Sequence, residues 1–196
     1  MKAVSHRLLG LHLARHYLQG RSPLQLKAFQ LGCVEPDKNP ATYLKGSIRA
    51  QMLRGHNYRS AKKYIQQLCR RLRSKGLSSL WDYYTLGKLI HYIADAFTYP
   101  HNDHFPGDLK AHREYESALH ACLAKRIHAE APRKHIRRGC PAHFITLRHR
   151  QYAAHHPGIH TDAAWILDVC TTVTAMLAAS KPRDADAHRT AAPSLR

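Results

Sequence analysis

Apolar residues along this chain recur at steps of three and four, and no stretch alternates apolar with polar residues long enough to make a strand. Such a pattern predicts an all-α protein, and no internal repeat divides it. Residues 3–19 place Val4, Leu8, Leu11, Ala14, Arg15 and Leu18 on an amphipathic helix that Gly20 ends. Ser22 and Pro23 suit the N-cap and first position of a second helix, running to about Cys33. EPDKNPA, residues 35–41, reads as a turn-rich loop. A short helix over 44–54 and a longer one over 57–75 follow. The longer one is apolar through Tyr64, Ile65, Leu68 and Leu72, and stops at Gly76.

Ser79 with Asp82 three residues on predicts a capping arrangement for a helix over 80–98, broken by Pro100. Another helix spans 108–130. Residues 131–157 read as a basic connection with one short helix near 142–153. Thr161 or Asp162 caps a last apolar helix to Ser180. Its 163–179 core contains Asp168 and is short for a membrane span, so a buried core helix is expected. The sum is a single compact multi-helix domain over residues 1–180. Residues 181–196, poor in apolar side chains, are expected to form a disordered tail.

Charge narrows the partners. Lys and Arg number 31 against 13 Asp and Glu, a formal net charge of +18. That excess favours anionic partners such as nucleic acid, a phospholipid surface or a phosphorylated substrate, and equally describes a basic protein with no polyanion target. The five cysteines are odd in number and form no CxxC, which fits reduced thiols and a cytoplasmic location better than a disulfide framework. The N-terminal apolar run LLGLHLA is short and carries His12, so it does not read as a secretory signal.

The densest chemistry lies in HYIADAFTYPHNDHFPGDLKAHREYE, residues 91–116. His91 and Asp95 stand four apart on one helix face, and His112 and Glu116 repeat the arrangement on the next helix. His101 follows the intervening Pro100. Either pair alone describes a hydrated or salt-bridged helix surface as well as a chelate. Both pairs together with His101 describe a multinuclear metal site, because zinc takes imidazole nitrogen and carboxylate oxygen at about 2.0–2.2 Å.

These residues resemble the bacterial zinc-dependent phospholipase C family, whose all-helical fold is shared with S1/P1-type nucleases. The shared pattern is His-Tyr-x2-Asp-x5-His followed by His-x3-Glu, here His91-Tyr92, Asp95, His101, His112 and Glu116. SHRLLGLHLARHY at 5–17 is similar to the family's first helix. GCVEPDKNP at 32–40 resembles its Gly-Asp-Asn-Pro loop, and GHNY at 55–58 its following His-containing turn. The resemblance spans roughly residues 5–120.

The resemblance implies three metals. Asp37, His56, His91 and Asp95 would share one zinc. Asp95 would bridge to a second, also held by His6. His101, His112 and Glu116 would hold the third. It implies a hydrolase in which metal-activated water attacks a phosphodiester in line, with Asp37 accepting a proton or orienting the water. Two or three Zn2+ ions are therefore expected, with phospholipid or nucleic acid as substrate. Lys38, Lys45 and Arg54 would attract an anion or simply form a solvated basic face. An S1/P1-like nuclease and a non-catalytic helical protein that binds zinc or nucleic acid are the alternatives.

Three departures from the family stand out. Its secreted members complete the second zinc site with the amine of an N-terminal tryptophan. Here five residues precede His6 and none is tryptophan, and a retained Met1 is not expected to reach, which implies a second zinc completed by water or another side chain, or absent. Pro100 sits immediately before His101 rather than two residues before it, so a different turn is expected. Finally, an appended lipid-binding domain of the kind found in some toxins of the family is not expected from these 196 residues.

Overall fold

The computed structural model describes residues 1–38, 58–103, 105–129 and 139–180. Seven α-helices form, and no strand occurs among the described residues: α1 (Ala3–Tyr17), α2 (Pro23–Lys38), α3 (Tyr58–Lys75), α4 (Leu80–Ala96), α5 (Leu109–Ala129), α6 (Pro141–Ala153) and α7 (Ile159–Ala178). A one-turn 3-10 helix, Tyr99–His101, links α4 to α5. The elements share one core, in which Leu9, Leu13, Phe29, Leu72, Leu86, Ile93, Phe97, Leu123, Ile166 and Val173 are buried together. No described helix is long and apolar enough to cross a membrane. The expected short helix over 44–54 and the tail over 181–196 lie outside the described residues.

Local rules account for most of the boundaries. Ser79 and Asp82 form a reciprocal capping box, each side chain bonding the other's backbone N–H, so α4 starts where its sequence predicts. Gly76 closes α3 with φ 69°, a left-handed conformation that costs glycine little. Asp108 accepts the backbone N–H of Ala111 at 2.8 Å and so caps α5.

The packing that shapes the molecule is α2 along α4. At their crossing a methyl on Gly32 would stand 2.1 Å from the Tyr84 carbonyl, and one on Gly87 would stand 2.1 Å from that of Phe29. Only two glycines allow the backbones so close. Gln25 reaches Ser78 near the start of the pair, and Cys33 meets His91 further along, so the two helices run in the same direction. Their C-terminal turns therefore arrive together, and helix C-termini carry partial negative charge that favours a cation. α1 and α5 also run together, with Met1 beside Glu116 and Ser5 beside His120.

Three expectations are corrected. The stripe assigned to α1 is rotated: Val4 and Leu11 are each 52% exposed, while Ser5, His6, Leu9, Gly10, His12 and Leu13 face inward. Segment 35–38 is not loop but the last turn of α2, with Pro36 inside it. The contact with α4 sustains that turn, although a proline removes one backbone donor. Finally, α7 starts at Ile159, so neither Thr161 nor Asp162 caps it. Asp162 lies inside the first turn with its carboxyl buried.

Candidate metal centre

Five elements deliver side chains to one end of the bundle. α1 brings His6, α2 brings Asp37, α4 brings His91 and Asp95, the 3-10 turn brings His101, and α5 brings His112 and Glu116. The sequence expectation placed Asp37 in a loop, but its position on the final turn of α2 is what carries it to His91. His56, Lys45 and Arg54 lie outside the described residues.

Ligand atoms gather in two groups. His6, Asp37, His91 and Asp95 form the first and His101, His112 and Glu116 the second, with the ligating atoms of each within 4.8 Å of one another. In the first, His6 Nε2 lies 3.1 Å from Asp95 Oδ1. His91 Nε2 lies 3.3 Å from Asp95 Oδ2 and 3.5 Å from Asp37 Oδ1. The His6 and His91 rings stack at 3.9 Å, and both Nε2 atoms approach the Asp95 carboxylate. In the second, Glu116 Oε1 lies 3.2 Å from His101 Nε2 and 3.0 Å from His112 Nε2. Asp95 joins the groups, since its Oδ2 is 4.0 Å from His101 Nδ1.

The donor set fits a metal. His91 Nδ1 donates to the Cys33 carbonyl at 2.9 Å, which leaves the Nε2 lone pair facing two carboxylates. Lone pairs facing lone pairs repel unless a cation or proton lies between them. The buried Oδ2 atoms of Asp37 and Asp95 and the Nδ1 of His101 make no hydrogen bond among the described residues. Buried polar atoms are rarely left so, and nitrogen plus carboxylate oxygen is a donor set suited to zinc.

A backbone amine also stands in the cleft. The Met1 amino nitrogen lies 2.6 Å from Asp95 Oδ1, 3.1 Å from Glu116 Oε1 and 3.0 Å from His101 Nε2. Where water or another side chain was expected beside Asp95, this nitrogen is found. Burial works against its charge, but Asp95 and Glu116 hold it as an ammonium.

The electrostatics follow from burial and crowding. Burial, then the neighbouring His91, pulls His6 down to about 3. Against desolvation, Asp95 and Asp37 keep His91 above its ordinary value. Burial opposes ionisation of Asp95, but the Met1 amine and the surrounding histidines hold it well below the usual carboxylate range. Asp37 is 22% exposed, and burial, aided by the charge on Asp95, pushes it up to about 6.

The turn carrying His101 is braced from two sides. Asn102 donates to the carbonyls of Thr98 at 2.9 Å and Ala96 at 3.3 Å, and His149 of α6 contacts Asn102 Oδ1 at 3.1 Å. Pro100 sits within this turn, whose His101 N–H bonds the Thr98 carbonyl at 2.9 Å. Sequence reasoning missed His149 and Asn102, and its expectation that Met1 does not reach the site is corrected by the 2.6 Å contact of the Met1 nitrogen with Asp95. No spacing marks them, because each acts by reaching another element.

A family model described as zinc dependent phospholipase C matches residues 5–159. The chain belongs to the zinc-dependent phospholipase C family. No curated protein and no solved structure matches it. All eight site positions named from the zinc-dependent phospholipase C resemblance fall inside the matched span, whereas Met1 and Asp162 fall outside it.

Proposed function

We propose that this chain is a zinc-dependent hydrolase of phospholipid phosphodiesters. His56, Asp37, His91 and Asp95 would hold one ion, His6 and Asp95 a second, and His101, His112 and Glu116 a third. The observation that supports this reading best is the convergence of both ligand groups on Asp95, whose two oxygens face His6 on one side and His91 and His101 on the other.

Bound zinc supplies electrophilic polarisation of a phosphoryl oxygen and lowers the pKa of water from 15.7 to about 7. The chain's own residues supply geometry and proton handling. Cys33 fixes the His91 tautomer and ring orientation. Asp37 is the more accessible carboxylate of the first group, 22% exposed against 1% for Asp95, which supports a role for it in orienting water and taking its proton. Glu116 is held ionised, against burial, by hydrogen bonds from His101 and His112.

The test is hydrolysis of phosphatidylcholine dispersed in detergent, read as release of the phosphorylated head group, with single-stranded DNA assayed alongside. His91→Ala and Asp95→Ala variants that keep the parent's helical signal should lose roughly 100-fold or more, the scale on which a lost transition-state stabiliser acts. Full activity in either variant would show the site to be misplaced. Cleavage of DNA without lipid hydrolysis would move the substrate to nucleic acid. Stoichiometric zinc with neither activity would leave a metal-binding protein.

A further inference from the structure

Asp162 belongs to neither ligand group, yet it is completely buried, at 0% exposure. An acid in that position is costly unless its oxygens are well satisfied. Its Oδ2 accepts the backbone N–H of Tyr99 at 2.7 Å and the hydroxyl of Tyr115 at 2.9 Å. Its Oδ1 accepts the hydroxyl of Tyr152 at 2.9 Å. The three donors come from three elements: the 3-10 turn, α5 and α6. Asp162 itself sits in the first turn of α7, where the positive end of the helix dipole favours its charge.

What these donors carry is the point. Tyr99 opens the turn that ends in His101, and Tyr115 immediately precedes Glu116. One carboxylate oxygen therefore clamps the segment bearing His101 to the segment bearing Glu116. Across that clamp His101 Nε2 and Glu116 Oε1 stand 3.2 Å apart. The two residues are fifteen positions apart on different elements, and the described hydrogen bonds that tie the Tyr99 backbone to Tyr115 run through Asp162. Tyr152, by contrast, sits on α6, which carries no ligand of either group and reaches the His101 turn through His149 rather than through Tyr152.

We propose that Asp162 is a positioning residue for the second metal site, setting the separation of His101 from Glu116 through Tyr99 and Tyr115. The inference rests on the metal-centre reading above. It deepens that reading by adding a residue that touches no metal. Outer-sphere partners of this kind typically cost about 10–100-fold in metal affinity when changed.

The experiment is a zinc titration of the full chain against a competing chromophoric chelator, with a thermal melt of each zinc-free variant. Tyr115→Phe and Tyr152→Phe each delete one hydroxyl bond to the same carboxylate. Asp162→Asn keeps its shape but removes the charge. We expect Asp162→Asn and Tyr115→Phe to weaken one zinc of the parent's complement by about 10–100-fold and leave the others unchanged. Tyr152→Phe should lower the melting temperature with the parent's zinc affinities intact. Parent-like zinc binding in both Asp162→Asn and Tyr115→Phe would overturn the proposal and reduce Asp162 to a satisfied core acid. Equal weakening in Tyr152→Phe would overturn it too, since a general loosening would then explain the effect. Should Asp162→Asn fail to fold, the tyrosine pair alone still decides. A parent that binds no zinc would instead overturn the metal-centre reading, and the titration shows that before any variant is compared.

Discussion

His149 shows how a single side chain couples the site's scaffold to pH. It is 8% exposed, stacked at 3.4 Å on Tyr58, and bonds the Ala96 carbonyl at 3.1 Å. Burial, assisted by the Lys62 charge, pulls it down to about 4. A histidine depressed in the fold is held neutral there, so its contribution is present above the unfolded value near 6.5 and is lost as pH falls towards 4. At pH 5 the loss comes to about 2 kcal/mol from a depression of this size. His149→Gln keeps an amide donor but cannot titrate. Its melting temperature at pH 7 should be lower than the parent's, and its drop between pH 7 and pH 5 smaller, by about 4–8 °C for a chain of this length. Parallel pH profiles would mean that His149 is not held neutral.

The residue scale is also where the sequence misled. Assigning the α1 stripe to Val4, Leu8 and Leu11 assumes, as hydrophobic periodicity does, that apolar side chains point inward. Here Ser5, His6 and His12 take inward positions, and Val4 and Leu11 are left outside. Polar residues that serve a site break the rule that locates the core, so the misreading falls where function is. His91, Asp95, His112 and Glu116 were legible for the opposite reason. Their i,i+4 spacing is local, and a helix turns local spacing directly into proximity.

At the scale of elements, the crossing of α2 and α4 decides whether Asp37 meets His91. Neither glycine there is needed for an unusual backbone angle. Each is needed because a carbonyl oxygen of the other helix occupies the space of its missing side chain. Gly87→Ala would place a methyl 2.1 Å from the Phe29 carbonyl and 2.8 Å from the Cys33 nitrogen, so the helices must separate. Overpacking of this kind costs about 1–3 kcal/mol, and contact with backbone rather than a movable side chain puts it at about 3 kcal/mol. The expected result is a melting temperature lower by roughly 6–12 °C, together with weaker zinc retention, because Asp37 moves with α2. Gly20→Ala would be a poor control despite its open surroundings, since Gly20 has φ 73° and would be strained for its own reason. An unshifted melt in Gly87→Ala would show the contact to be looser than its geometry.

Element boundaries were legible where the signal was local and illegible where a neighbour supplied it. The capping box at Ser79 needs only Asp82, and it was read correctly. The last turn of α2 survives Pro36 because α4 lies along it, and no local rule contains α4. Asp162 looked like a cap because acids near helix starts usually are. It is instead engaged by residues 10, 47 and 63 positions away.

Over the whole molecule, the two candidate ligand groups would act as a further joint between elements already tied by the α2–α4 crossing and the Asp162 bonds. α1, α2, α4, the 3-10 turn and α5 each contribute at least one ligand, so an ion bound there is linked to the packing of all of them. Without it, three carboxylates share a buried cleft with the Met1 ammonium and the histidines as their described counter-charges. Any ligand that binds the fold but not the unfolded chain stabilises the fold by mass action, by about 2.7 kcal/mol at 100 times its dissociation constant. Zinc added to chelator-stripped protein should therefore raise the melting temperature by roughly 5–11 °C. Magnesium should not, because it prefers an octahedral oxygen shell and dehydrates reluctantly, whereas both groups here are rich in imidazole nitrogen. Combining His91→Ala with His112→Ala should abolish most of the zinc response by removing a donor from each group. A response that survives this double substitution, or that magnesium reproduces, would place the ion among the chain's other histidines, and the joint between these five elements would then be packing alone.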